Sequence, residues 1–196
     1  FYYRVTPKTS LLFELLKNDK RYDILDVSGV SRDSDDYFSY VGATWDTTAT
    51  VTGIAKIGYQ NKDFKESGRQ SFDGFSWDVG LTWQAKEYSK IDLGTRHKAK
   101  DPDQLGDYIE ESYYRAAWEH YWLDSVSSTV SWSFINDDYT GSSREDKTDE
   151  YLVGLNYDVR RWLNLGLGYR LTDKRSTDSA IGYDKNVFYI SLNMVM

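Results

Sequence analysis

Hydrophobic and polar residues alternate with a period of two in segment after segment of this chain. Phe75, Trp77, Val79, Leu81 and Trp83 alternate with Ser76, Asp78, Gly80 and Thr82. From Val126 to Phe134, Val, Ser, Val, Trp and Phe alternate with Ser127, Thr129, Ser131 and Ser133. Tyr151, Val153, Leu155, Tyr157 and Val159 repeat the pattern, as do Leu163, Leu165, Leu167, Tyr169 and Leu171. A helix, with its repeat of 3.6, cannot sort residues in this way, so these segments are predicted strands.

Eleven strands are expected, at about 1–5, 9–20, 36–46, 49–61, 72–84, 88–98, 108–121, 125–136, 149–159, 162–173 and 186–196. Short turns at 6–8, 47–48, 85–87, 122–124 and 160–161 alternate with longer polar loops at 21–35, 62–71, 99–107, 137–148 and 174–185. A soluble sandwich has no reason to sort its loops by length. Outer-membrane barrels do sort them, with short periplasmic turns and longer extracellular loops.

The composition agrees. There is no apolar run near the 18 residues that a transmembrane helix needs, but a barrel strand needs only about 9–11, half of them polar. The 196 residues hold no Cys, 2 Pro, and a rich set of aromatics: 17 Tyr, 8 Phe and 7 Trp. Without Cys there is no disulfide framework, thiolate metal site or cysteine nucleophile. A formal charge of −7, with no basic run, argues against nucleic acid as the main partner. Trp45, Trp83, Trp118, Trp122 and Trp162 fall near the short turns. Tyr37, Tyr59, Phe75, Trp77, Tyr108, Tyr151 and Tyr169 fall toward the long loops, giving the two girdles of such a barrel.

The expected fold is therefore all-β: a transmembrane antiparallel up-and-down β-barrel, forming a single domain over 1–196. The last strand alternates to its end, with Phe188, Ile190, Leu192, Met194 and Met196 on one face. It resembles the C-terminal signal strand of outer-membrane proteins, although Met196 stands where Phe or Trp is usual. An odd number of strands cannot close an all-antiparallel barrel, and no signal peptide begins the sequence. The expectation is the C-terminal part of a larger barrel, its C-terminus periplasmic and its long acidic loops extracellular.

With the apolar faces on lipid, the alternate residues line the lumen: Lys56, Asp78, Lys90, Asp92, Arg96, Lys98, Glu111, Tyr113, Arg115, Glu119, Tyr121, Asp158 and Arg170. An Arg or Lys facing lipid at mid-depth costs about 2–4 kcal/mol, so these charges need the wet side. A hairpin around 99–107 with paired positions summing to 207 sets Arg96 opposite Glu111 and Asp92 opposite Arg115. Such pairs either stiffen the wall or set solute selectivity. The acidic groups Asp33, Asp35-Asp36, Asp137-Asp138, Glu145-Asp146 and Asp149-Glu150 read as a solvated outer rim, with divalent-ion bridging to lipopolysaccharide the sharper alternative. Asp33-Ser34-Asp35-Asp36 lacks the Gly and distal Glu of a calcium-binding loop.

No enzyme is expected. His97 and His120 are the only anchors for a histidine site, both on the apolar-face parity, and no phosphate loop or zinc pattern accompanies them. No cofactor or metal is implied.

Tyr2-Tyr3-Arg4-Val5-Thr6-Pro7-Lys8-Thr9-Ser10-Leu11, Val79-Gly80-Leu81-Thr82-Trp83, Val153-Gly154-Leu155-Asn156-Tyr157 and Gly168-Tyr169-Arg170-Leu171-Thr172 resemble the later strands of a family of β-barrel porins. These are encoded in exopolysaccharide biosynthesis and export loci of Gram-negative bacteria. The resemblance implies a barrel larger than eleven strands and a role in passing a secreted polysaccharide through the outer membrane. It transfers no individual site residue. The expected partners are outer-membrane lipid and lipopolysaccharide, the secreted polysaccharide and periplasmic export components. Two alternatives stand beside this conduit: a general diffusion porin for small hydrophilic solutes, and a soluble β-sandwich carbohydrate-binding module.

Overall fold

The computed structural model describes residues 1–25, 29–48, 50–102 and 106–194. Its elements are β1 (Tyr2–Thr6), β2 (Thr9–Lys20), β3 (Ser34–Thr48), β4 (Val51–Phe64), β5 (Phe72–Lys86), β6 (Ser89–Lys100), β7 (Tyr108–Leu123), β8 (Val126–Thr140), β9 (Glu145–Arg160), β10 (Leu163–Ser176) and β11 (Tyr183–Met194). Each strand pairs antiparallel with its sequence neighbours, giving one sheet in the order β1 to β11. Among the described residues β1 and β11 are not paired with each other, so the sheet is open. The eleven strands match the number expected from the alternation.

Several strands run further than expected at the long-loop end. Asp138 pairs with Glu145, and Lys174 with Tyr183, so the connections there shrink to Gly141–Arg144 and 177–182. The backbone pairing simply continues past the point where apolar alternation stops. Strands of 14–16 residues exceed the 9–11 that cross a bilayer, and the excess lies at the long-loop end.

The two faces differ in the way a curled sheet requires. Phe75, Phe188 and Ile190 on the apolar face are 76%, 81% and 82% exposed, whereas Gln60 and Lys62 on the polar face are 0% exposed. The polar face is thus the concave one and the apolar face the convex one. Of nine strand glycines, only Gly53 lies on the convex parity; Gly42, Gly58, Gly74, Gly80, Gly94, Gly154, Gly166 and Gly168 lie inward. Coiling crowds side chains on the inner face, and at Gly42, Gly58, Gly166 and Gly168 glycine relieves that crowding. At Gly58 a Cβ would stand 1.9 Å from the Ser39 carbonyl oxygen.

One hairpin departs from the wall. β4 and β5 stay paired up to Lys62–Phe72, but β5 and β6 are paired only as far as Trp77–His97. Beyond that point, Ala99 and Tyr108, convex by parity, pack on the inward ring of Phe72. The end of the β6–β7 hairpin therefore lies inside β5. Tyr108, expected in the outer girdle, is instead buried at 8% exposure.

Candidate functional site

The inward face carries a trough of about 660 Å³, with the facing pair Gly80 and Gly94 as its floor. Asp78, Thr82, Asp92, Arg96, Tyr113 and Arg115 stand around it. They arrive there from three neighbouring strands, because antiparallel pairing puts partners on the same face: Asp78 opposite Arg96, Arg96 opposite Tyr113, Gly94 opposite Arg115. A Cβ on Gly80 or Gly94 would meet no atom nearer than 3.8 Å, so the floor is open space, not close packing.

The β6–β7 register differs from the expected one by two residues: paired positions sum to 209, not 207. The shift keeps every side chain on its face. It also sets Lys90 directly opposite Glu119, 3.0 Å apart, and Lys98 opposite Glu111. Arg96 still reaches Glu111, now diagonally, at 2.8 Å. The expected Asp92–Arg115 pair is not made. Asp92 accepts a 2.6 Å hydrogen bond from Thr82 and lies 3.6 Å from Lys90, while Arg115 forms no ion pair among the described residues and extends beside the trough.

The other expected lining residues all fall on the inward parity, in three separate groups. Lys56 lies 3.0 Å from Glu14 and 3.9 Å from Asp78, with its ammonium 4.9 Å from the centre of the Tyr40 ring. Lys90, Asp92 and Glu119 form a second group toward the short turns, where Tyr121 is also exposed. Asp158 accepts from Asn164 at 2.9 Å, and Arg170 lies 3.7 Å from Glu150, both on the β9–β10 wall away from the trough. Tyr113 has one ring face occupied by the Arg96 guanidinium at 5.3 Å.

The acidic groups read as a solvated rim are largely partnered, and Asp36, Asp137, Asp146 and Glu150 among them lie inward. Asp36 is 2% exposed and bridges Lys20 and Lys62, each at 2.9 Å. Asp35 pairs with Arg21 and Lys65, and Asp137 with Lys100. Asp146 is 2% exposed among Arg144, Lys174 and Ser176. Burial pushes the Asp146 carboxyl up, but hydrogen bonds from Arg144, Ser176 and Lys174 outweigh it and hold it well below the usual carboxylate range. Charges placed in low-dielectric surroundings need such partners. Local sequence shows acidic residues but not the cations that distant strands bring to them.

Lys20, Lys62, Gln60 and Asp101 were not anticipated. Lys62, fully buried, pairs with Asp101 as well as Asp36, and Lys20 also reaches Asp101 at 2.6 Å. Gln60 donates to the Ala99 carbonyl at 2.9 Å and accepts from its N–H at 2.8 Å. Lys20, Gln60 and Lys62 share the inward parity of their strands, which was the available signal. Their partners, Asp101 and the Ala99 backbone, lie far from them in sequence, where the chain folds inward past β5.

Both histidines are convex. His97 stacks on Trp77 at 4.5 Å and shares a 2.9 Å hydrogen bond with Ser112, its cross-strand partner. His120 packs on Trp122 at 4.3 Å and Trp118 at 5.1 Å, at the short-turn girdle. Among the described residues there is no group of three or more His, Cys, Asp or Glu arranged to hold a metal.

A family model described as "Putative beta-barrel porin 2" matches residues 1–195. No curated protein matches the chain.

Proposed function

The chain belongs to the family described as Putative beta-barrel porin 2, and on that premise we propose that it forms an outer-membrane conduit through which a secreted exopolysaccharide passes. The observation that carries the porin-like part is the sorting of chemistry by curvature. The exposed convex face is apolar between two aromatic girdles, which suits lipid, and the concave face holds the charges, which suits water. Sequence resemblance to porins of exopolysaccharide loci favours a polymer as cargo, and the trough is compatible with that reading. Asp78, Asp92, Arg96 and Arg115 carry two charges of each sign, and Thr82 adds a hydroxyl. Balanced donors and acceptors suit the hydroxyls of a sugar and hold it weakly enough for release. Tyr121, inward and exposed, is available for stacking on a sugar ring.

On this reading, outer-membrane lipid and lipopolysaccharide surround the convex face, and periplasmic export components meet the short-turn end. β1 and β11 run in the same direction, so an all-antiparallel closure takes an odd number of further strands between those edges.

Planar-bilayer conductance of the full-length protein, with and without the exopolysaccharide of its host, tests the proposal. The reading expects ohmic steps blocked by the host polymer and not by a neutral dextran of equal size. Steps indifferent to polymer identity would make it a general diffusion porin, and the absence of steps would overturn the conduit.

A further inference from the structure

We propose that Ser112, His97 and Asn136, with Glu110 beside them, form a second and catalytic site on the convex face, which hydrolyses the acyl ester of a membrane lipid. The inference goes beyond the conduit and shares with it only the lipid-facing convex surface.

The first observation is the arrangement of side chains. Pairing of β6 with β7 sets His97 directly opposite Ser112, and pairing of β7 with β8 sets Ser112 opposite Asn136, so the three share one row of the convex face. The Ser112 Oγ lies 2.9 Å from the His97 Nδ1. The other ring nitrogen, Nε2, lies 4.0 Å from the carboxylate of Glu110, the next convex residue outward on β7. Trp77 stacks on the imidazole at 4.5 Å, with 17° between the rings, and fixes its plane. A hydroxyl, an imidazole to take its proton and a carboxylate at the far nitrogen are the parts of an activated serine. A gap such as the one at Glu110 closes in many sites only when substrate binds. Asn136 supplies the remaining part. Its Oδ1 is buried without a hydrogen-bond partner among the described residues, so no such bond stops the amide turning its N–H groups toward an oxyanion at Ser112. His120, in the other girdle, has no such set. The Ser128 opposite it accepts from the Trp122 Nε1 at 2.9 Å, and the His120 Nδ1 has no partner.

The second observation is where the row lies. His97 is directly opposite Trp77 of the outer girdle, and girdle rings sit at the level of lipid headgroups. Ester links lie there too, between headgroup and acyl chain. An apolar groove of about 380 Å³ begins at Thr95 and Tyr114, the next convex residues inward from His97 and Ser112. It runs on toward mid-bilayer over Ala116, between Leu93 and Trp132. An acyl chain in this groove brings its ester to Ser112.

The Ser112 Oγ attacks the ester carbonyl carbon while His97 takes its proton. The bond from that carbon to the alcohol oxygen then breaks, and His97 gives the proton to the departing alkoxide. Water attacks the acylated Ser112 with His97 again as base, releasing a free fatty acid and restoring the hydroxyl. Glu110 is a positioning residue that orients the imidazole and steadies its positive charge.

The test uses the full-length protein in vesicles of phosphatidylcholine and, separately, in vesicles containing lipopolysaccharide, with release of free fatty acid as the signal. The two arms identify the lipid that carries the ester. Folding of each variant is checked by its heat-dependent gel migration. The expected result is release from at least one lipid, lowered roughly a hundredfold or more by Ser112→Ala and by His97→Ala. Glu110→Gln should lower kcat about tenfold at unchanged KM, and Glu110→Asp should recover part of it. Release from neither lipid by the folded wild-type protein, or release that Ser112→Ala leaves unchanged, overturns the site. Neither result bears on the conduit, because these side chains are all convex.

Discussion

Leu155 lies on the convex parity of β9 between Tyr151 and Tyr157, and Ser131 lies on the concave parity of β8, one strand away. Replacing each with Arg asks the same question of opposite faces. At Leu155, which is 45% exposed to the outside, a guanidinium would project into hydrocarbon near mid-depth. That placement costs about 2–4 kcal/mol, or roughly a 30- to 700-fold fall in the folding equilibrium. At Ser131, whose inward neighbours are Ala117 and Leu152, the same side chain enters the space that holds Arg115 and Arg170. It remains hydrated there, and the cost should stay within about 0.5 kcal/mol, as for other open surface substitutions. Reversible denaturant unfolding of the full-length protein in lipid vesicles measures both, with fluorescence of the 7 Trp as the signal. Equal losses at the two sites, or a larger loss at Ser131, would refute the assignment of faces.

Three further outcomes follow from the geometry. Gly58→Ala sets a Cβ against the Ser39 carbonyl and should cost about 1–3 kcal/mol or prevent folding, whereas Gly80→Ala meets nothing nearer than 3.8 Å and should be tolerated; vesicle unfolding separates them. Replacing both Arg96 and Arg115 with Gln removes two positive charges beside the trough, so the reversal potential in a salt gradient should move toward cation preference, roughly doubling the cation-to-anion permeability ratio. Burial pushes the Asp101 carboxyl up, but Lys20 and Lys62 outweigh it and leave it below its ordinary value. Its contribution to stability is therefore present above the unfolded carboxylate range, near pH 4, and is lost only as pH falls through the lowered value; stability in vesicle unfolding should not lose this contribution between pH 8 and about 4 and should lose it below that.

The alternation carried most of the fold. A period of two is a local property, so eleven strands, their faces and the inward parity of Lys56, Asp78, Arg96 and Arg115 could be read directly. Register could not be read as well, because a shift of two residues leaves all faces unchanged. Summing to 207 satisfied Arg96 with Glu111, but it left Lys90 facing Ala117, and the observed register pairs Lys90 with Glu119 instead. The hairpin end was the larger omission. Tyr108 has convex parity and an aromatic ring, so it fits a girdle from its strand alone. Only Phe72, 36 positions earlier and facing inward, shows that this part of β7 lies inside the wall. The roles of Asp36 and Asp146 were missed for the same reason, since the cations that neutralise them include Lys62, from another strand, and Lys174, likewise distant in sequence.

Water along the concave face and lipid along the convex face can be told apart residue by residue. Because the chain contains no Cys, single cysteines can be placed along β8 against a silent background. A charged, water-soluble thiol reagent applied during conductance recording then reports each position. Reaction and current block are expected at 127, 129, 131 and 133, and neither at 128, 130, 132 and 134. Reaction without alternation, or with the opposite parity, would contradict it.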